Sequence, residues 1–367
     1  MMARGMRMDG LTLRVIRHPL VFHRPAQTSR DVLTSKPTYF LLAHHPDGRF
    51  GCGECSLIPG LSPESEEVAL KALQGVVKSA VLDPDSIPAQ LPAVRFAVEM
   101  ALMDLVSGGK QRLVDNAFSR GETSILINGL IWMNEPQQMV QQATDLIQRG
   151  FKTLKMKIGI RPFLEELEWL KVVRDLAPLA PLAAGFTLRV DANGAFSRKD
   201  ADWTPLQKLE RLADLGIHSI EQPLMASDPI GLAELCRESP VPVALDESLI
   251  GVLGADQDRL LDSIRPQYLI LKPSLIGGLD AGQTWVDKAL EYGAGWWTTS
   301  ALESNVGLNA IAQWTAGLLE DEETPLPQGL GTGGLFSNNV NSPLVIEGER
   351  LRFDADRGWA WPKSFEA

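Results

Sequence analysis

At 367 residues the chain is too long for a disulfide-stapled scaffold, an isolated peptide-binding module or a simple zinc finger. It exceeds what one hydrophobic core usually supports, so two domains, or a large barrel with an accessory domain, are expected. Apolar residues make up 44% and charged residues 22%, the composition of a folded globular chain. With 46 acidic against 35 basic side chains the formal charge is −11, which argues against a protein that coats nucleic acid or an anionic membrane surface.

Three cysteines, Cys52, Cys55 and Cys236, cannot build a disulfide framework and fit a reducing compartment. Arginines and an aspartate interrupt the apolar residues of the first 21 positions, so no secretory core is expected there. Nowhere is there a run of about 18 apolar residues, so no membrane span is expected and the chain reads as soluble and cytoplasmic.

In chain order, residues 11–16 and 38–43 alternate as strands do, and His45-Pro46-Asp47-Gly48 reads as a turn. Helical spacing follows over 65–80 and 92–107. This first stretch, 1–122, is predicted to be a small α+β domain. From residue 123 short apolar strands alternate with amphipathic helices: strands at 125–130, 153–158, 187–190, 219–221, 243–245, 268–271, 295–299 and, weakly, 326–329. Helices fall between them at 136–148, 163–176, 205–215, 231–238 and 278–292. Such alternation argues for parallel strands with crossover helices, and about eight units in about 205 residues suggest a closed barrel over 123–335. The strand-like run 344–353 has no partner helix and is expected to carry the tail, 336–367, back to the first domain.

Charged residues close barrel strands two to six: Lys155 and Lys157 on the second, Asp191 on the third, Glu221 on the fourth, Asp246 on the fifth, Lys272 on the sixth. Each follows the last by about one strand–helix unit, which places them together at the C-terminal mouth, where barrel enzymes build active sites. Three carboxylates converging on one axis repel unless a cation joins them, and all-oxygen donors suit a hard ion such as Mg²⁺. Lys155 and Lys157, two apart on a strand, point to one side. A lysine crowded by another cation has a lowered pKa and can act as a general base near neutral pH. Singly these residues have bland readings: a strand-end Asp is often a helix N-cap, and a Lys-x-Lys pair is usually a solvated face. Five at successive inward strand ends do not, because burying them without purpose is costly.

The motifs Lys155-Met156-Lys157, Arg189-Val190-Asp191-Ala192-Asn193, Ile220-Glu221-Gln222-Pro223, Leu245-Asp246-Glu247-Ser248 and Leu271-Lys272-Pro273 resemble those of the enolase superfamily, muconate-lactonising subgroup. Sites of that superfamily set a Lys or His base beside Mg²⁺. The resemblance covers nearly the whole chain and implies an α/β fold, a (β/α)7β TIM-like barrel with an N-terminal α+β capping domain. It implies Asp191, Glu221 and Asp246 as ligands of Mg²⁺, with Mn²⁺ a possible substitute. Lys157 would be the base, Lys272 an opposing cation and Lys155 the neighbour that tunes Lys157. Arg189 and Asn193 would support the ligands, and Ser300, Glu303, Gly331 and Thr332 would approach the substrate.

The residues 300–308, 273–278 and 329–333 narrow the resemblance to a branch that acts in menaquinone biosynthesis. The implied reaction is syn dehydration of 2-succinyl-6-hydroxy-2,4-cyclohexadiene-1-carboxylate to o-succinylbenzoate. The implied partner is thus a small anionic molecule, not nucleic acid or membrane, and the chain is a monomer or homo-oligomer. Racemisation of N-acylamino acids or epimerisation of dipeptides could use the same lysines. A muconate-type cycloisomerase would use Glu303 as an acid. A catalytically silent barrel that only binds is the reading from another class. Against dipeptides, 329–335 contains no acid to hold a substrate ammonium.

Other motifs have weaker claims. Cys52-Gly53-Glu54-Cys55 lacks a second pair for zinc, and residues 51–59 are expected to form a lid over the mouth, with 22–24 as a flanking loop. Gly329 to Gly334 matches G-x-G-x-x-G without the strand–turn–helix context of a dinucleotide site. The five histidines are scattered, with His218 at the wrong end of its strand. Trp296 and Trp297 read as barrel packing first and as a substrate wall second.

Overall fold

A computed structural model describes residues 5–27, 32–176 and 185–365. The first part of the chain is built from β1 (Thr12–Arg17), β2 (Leu20–Gln27), β3 (Val32–Lys36), β4 (Thr38–His44), β5 (Phe50–Ser56), α1 (Glu66–Ser79) and α2 (Pro92–Val106). Antiparallel β1-β4-β5 form one sheet and β2-β3 a separate hairpin. Helix α1 begins where Ser65 Oγ accepts the Val68 N–H, with Glu66 and Glu67 in the positive first turn. Helix α2 is buried along most of its length and encloses Glu99 and Asp104 among its apolar side chains.

The cysteine-flanked stretch is not a lid. Residues 50–56 form β5, enclosed beneath α2 from Gly51 onward, and of the expected lid over 51–59 only Ile58 and Pro59 reach the barrel mouth. The glycines that suggested flexibility serve close packing instead. A Cβ on Gly53 would stand 1.8 Å from Ala97 O, and one on Gly51 2.5 Å from Ala101 O, so only glycine lets α2 lie against the strand. Cys52 and Cys55 face two different cores. Residues 22–24 likewise belong to β2, where Phe22 packs on Phe336 with ring centroids 4.7 Å apart.

Then come β6 (Ser124–Leu126), β7 (Gly129–Ile131), α3 (Pro136–Gln148), β8 (Thr153–Lys157), α4 (Phe163–Asp175), β9 (Thr187–Asp191), α5 (Pro205–Asp214), β10 (Ser219–Glu221) and α6 (Pro229–Glu238). They continue with β11 (Val243–Leu245), α7 (Ala255–Ile264), β12 (Tyr268–Leu271), α8 (Pro273–Ile276), α9 (Leu279–Tyr292), β13 (Gly295–Thr298) and α10 (Asn305–Leu318). Strands β7 to β13 are parallel neighbours in sequence order. The sheet closes through residues 328 and 329, which bridge in parallel to Ile127 on one side and Thr299 on the other. The faint eighth strand of the sequence is thus two bridging residues, enough to complete a (β/α)7β barrel.

The expected single strand at 125–130 is divided. Its first half, β6, leaves the barrel to pair with a C-terminal hairpin, β14 (Leu344–Glu347) and β15 (Arg350–Phe353). Beyond the hairpin the tail returns to the first sheet: Phe40 meets the Phe365 ring at 4.9 Å, and Arg14 Nη2 donates to Phe365 O at 2.9 Å. One large core fills the layer between barrel and helices, and a second fills the space between β1-β4-β5 and α1-α2. A third, with Leu20, Phe22, Ile58, Leu275 and Ala301, seats the β2-β3 hairpin against the barrel mouth. Among the described residues no helix is long and apolar enough to cross a membrane.

Candidate active site

Parallel register sets the site. Lys157 pairs with Asp191 between β8 and β9, and Asp191 with Glu221 between β9 and β10, so the three stand in one row. Asp246 and Lys272 each follow the last residue of β11 and β12. All five are buried or nearly so, and they are brought together. Lys155 Nζ lies 2.6 Å from Glu221 Oε2 and 3.0 Å from Asp191 Oδ2. Lys157 Nζ lies 3.1 Å from Asp191 Oδ2 and donates to Asn193 Oδ1 at 2.7 Å. Lys272 Nζ donates to Asp246 Oδ2.

Electrostatics reflect the crowding. Burial raises Glu221 first and the Asp191 charge adds to it, to about 7. Burial raises Asp246 as well. Asp191 goes the other way: burial opposes its charge, but Lys155, Lys157 and Lys272 outweigh burial and hold it below the carboxylate range. Burial disfavours the Lys155 ammonium, yet Asp191 and Glu221 keep it above the usual lysine range. Lys272 follows the same pattern, with Asp246 as its main support.

Whether this set can hold a divalent cation is a question of donor chemistry. Among the described residues no three acidic, His or Cys side chains stand as a ready ion cage, because the carboxylates turn to lysines. Glu221 Oε1 and Asp246 Oδ1 are nevertheless buried without a hydrogen-bond partner. Two orphaned carboxylate oxygens beside a third carboxylate fit a hard cation, and buried acids of like charge call for one.

Lys155, Lys157, Asp191, Asn193 and Lys272 line a pocket with Ser300, Gly331 and Thr332. Its other wall is apolar: Ile58 and Leu61 from the capping part, with Leu130, Trp132, Trp297 and Leu302 from the barrel. Glu221 and Asp246 are not among its lining residues, though both meet the lysines that are, and two further sequence candidates stand elsewhere. Arg189 is buried in the barrel interior, its guanidinium carbon 4.0 Å from the centre of the Trp297 ring and its Nη1 donating to Pro327 O at 2.8 Å. Glu303 is fully buried outside the pocket, accepting from Ser274 Oγ at 2.5 Å. The direction of the residue 303 side chain depends on a loop turn that strand periodicity does not encode.

Other contributors were missed by sequence reasoning. Glu247 lines the pocket and accepts from Asn193 Nδ2 at 3.0 Å. Gln222 Oε1 accepts the N–H groups of Asp246 and Ser248 at 3.0 and 3.2 Å, fixing the strand end that carries Asp246. Asn193, Gln222 and Leu302 all have left-handed backbones, with φ of 42°, 40° and 62°. Strain of this kind concentrates at functional sites. The Gln-Pro after Glu221 was the available signal, since a buried amide at a strand end needs a local partner.

Comparison with known proteins gives the family and the fold. A family model described as enolase C-terminal domain-like matches residues 138–361. The chain is 44% identical to the o-succinylbenzoate synthase of Desulfotalea psychrophila, covering 94% of this chain and 99% of that protein. It is 26% identical to an N-succinylamino acid racemase of Amycolatopsis sp, covering 94% and 92%. The crystal structure of MenC from Desulfotalea psychrophila superposes with a TM-score of 0.80 at 39% identity, covering 94% of this chain and 100% of that one. The chain belongs to the enolase superfamily, whose C-terminal barrel it carries with an N-terminal α+β cap, and its relatives are o-succinylbenzoate synthases and the racemases beside them.

Proposed function

We propose that this chain is a carbon–oxygen lyase that dehydrates 2-succinyl-6-hydroxy-2,4-cyclohexadiene-1-carboxylate to o-succinylbenzoate in the cytoplasm. The observation that carries the reading is one pocket that joins Lys157, Lys272 and Asp191 to an apolar wall large enough for a ring, with no acid in 329–335 to receive an ammonium. The 44% identity to a synthase supports it. Asp191, Glu221 and Asp246 would hold Mg²⁺, or Mn²⁺ in its place, and when bound the ion supplies positive charge opposite the substrate carboxylate.

Lys157, held by Asp191 and Asn193, takes the proton from the ring carbon that bears the carboxylate. It then returns that proton to the hydroxyl leaving the adjacent carbon on the same face. One C–H and one C–O bond break, a ring double bond forms, and water departs with an aromatic product. Lys272, anchored by Asp246, faces the negative charge that develops in between. Lys155 stays cationic between Asp191 and Glu221. Ile58, Leu61, Trp132 and Trp297 hold the ring and exclude water. Aromatisation makes the elimination easy, so a base and a fixed field suffice.

A second reading has its own observation. Lys157 and Lys272 arise from separate strands and both line the pocket, as racemisation of an N-succinyl amino acid by two opposed acid/base groups requires. Incubation with Mg²⁺ and the cyclohexadiene, followed by ultraviolet absorbance, separates the two. Aromatic product is expected. Its absence, together with racemisation of N-succinyl amino acids, would overturn the lyase assignment.

A further inference from the structure

The loop after β13 is held at both ends by the capping part of the molecule. Lys36, the last residue of β3, is 1% exposed. Its ammonium donates to Leu302 O at 2.7 Å, Ser56 Oγ at 2.8 Å and Ala301 O at 3.2 Å. Three N–H groups meet three neutral acceptors. Glu54, on β5, does the converse. It accepts from Ser304 N at 2.8 Å, Ser304 Oγ at 2.5 Å and Gly307 N at 2.7 Å, at the start of α10. A cation thus takes the carbonyls of the loop and an anion takes its N–H groups.

The segment held in this way is a wall of the pocket, since Ser300, Ala301 and Leu302 all line it. Leu302 has φ of 62°, a conformation leucine does not choose unaided, and its N–H is occupied by Ser300 Oγ at 2.8 Å. Beyond it Glu303 binds Ser274, two residues from Lys272. The wall is therefore tied to the end of β12 as well.

Stability alone does not call for a lysine here. Burial of an ammonium among neutral acceptors is costly, and a methionine would avoid that cost while leaving the Ala301 and Leu302 carbonyls without this donor. The cost is visible: burial lowers Lys36 to about 8, against the pull of Glu303, Glu54 and Cys55.

We propose that Lys36 is a positioning residue for substrate binding, setting the pocket wall at Ala301 and Leu302 through their backbone carbonyls. The cap then acts on the substrate through the barrel's own loop, in addition to the side chains of Ile58 and Leu61. The inference rests on the lyase reading for its substrate, but the placement of the wall can be read without one.

Two measurements on the intact protein test it, with Glu99→Gln as a control. Glu99 joins the same two parts of the molecule away from the wall, accepting from Leu279 N at 2.6 Å. Amide hydrogen exchange across 300–304 is expected to quicken about tenfold or more in Lys36→Met and to stay unchanged in Glu99→Gln. With the cyclohexadiene, KM is expected to rise about tenfold in Lys36→Met while kcat stays within about twofold, the signature of lost uniform binding. Lys36→Arg, which keeps charge and donors, should recover part of that loss.

Unchanged exchange, an unmoved KM, or an equal response in Glu99→Gln would each overturn the role of Lys36. If Lys36→Met does not fold, Ser56→Ala removes one acceptor at no cost in charge. A rise of about threefold in KM is then expected, and no rise overturns the proposal. If the wild type turns over no cyclohexadiene, the lyase reading fails, and the exchange experiment still decides the placement of the wall.

Discussion

Buried carboxylates occur in two regions of this molecule, and they are satisfied in different ways. Glu54 and Glu99, along the seam between cap and barrel, and Asp104, inside the cap, take backbone N–H donors. Glu54 receives Ser304 and Gly307, Glu99 receives Leu279, and Asp104 receives Gln111 and Cys52. Each is a staple to a strand, turn or helix start and needs no ion. At the barrel mouth Asp191, Glu221 and Asp246 meet ammonium groups instead; an oxygen without a hydrogen bond does not separate the regions, since Glu99 Oε1 lacks one just as Glu221 Oε1 and Asp246 Oδ1 do. Burial by itself therefore does not mark a catalytic acid. The kind of partner does.

Breaking the mouth should have the largest effect. Chelation of divalent metal should take dehydration to background and lower Tm, and Mg²⁺ should restore both, since an ion at a hundredfold excess over its Kd stabilises by about 2.7 kcal/mol. A Tm indifferent to chelator and metal would count against Asp191, Glu221 and Asp246 as ligands. Asp246→Asn should follow, with kcat/KM reduced on the order of 10³-fold and the Mg²⁺-dependent gain in Tm diminished. Retention of both in the variant would remove Asp246 from the set.

The seam and the cap behind it should respond to pH instead. Burial raises Asp104 to about 7 and Glu99 to about 8. Both folded-state values lie above the unfolded ones, so the folded state holds extra protons between about pH 4 and 8. Stability from these groups is complete below that window and is lost as pH rises through 7 to 8. Glu99→Gln removes its share, so the Tm of the variant relative to wild type should improve by a few degrees, ~2–4 °C, between pH 5 and pH 8. A constant difference would mean that Glu99 is ionised throughout. The smallest effect is expected at Cys52 and Cys55. They face separate cores, so turnover should be the same with and without dithiothreitol, and an oxidant-dependent change would revive a redox reading.

The contrast also explains what was legible in the sequence. Strand–helix alternation with charged strand ends was readable because parallel register turns repeat spacing into proximity, as the row Lys157, Asp191 and Glu221 shows. Composition and motif exposed the barrel and the pocket charges, but not the seam. Glu54 sits between cysteines in what looked like a lid, and its partners are 250 residues or more away. The glycines at 51 and 53 signalled mobility because their alternative use, the close approach of α2, depends on a partner that the local sequence does not name. Glu303 pointed to the site by position and away from it by side chain, and Glu247 did the reverse. Loop turns, not periodicity, decide such cases.

The most direct test of the difference between the two regions is proton NMR in D₂O of wild type, Lys157→Ala and Glu99→Gln with Mg²⁺ and the cyclohexadiene. Wild type and Glu99→Gln are expected to form aromatic product at similar rates, whereas Lys157→Ala should neither form product nor exchange the ring proton next to the carboxylate. Exchange or product in Lys157→Ala, or an equal loss in Glu99→Gln, would contradict the assignment of chemistry to the mouth and of structure to the seam.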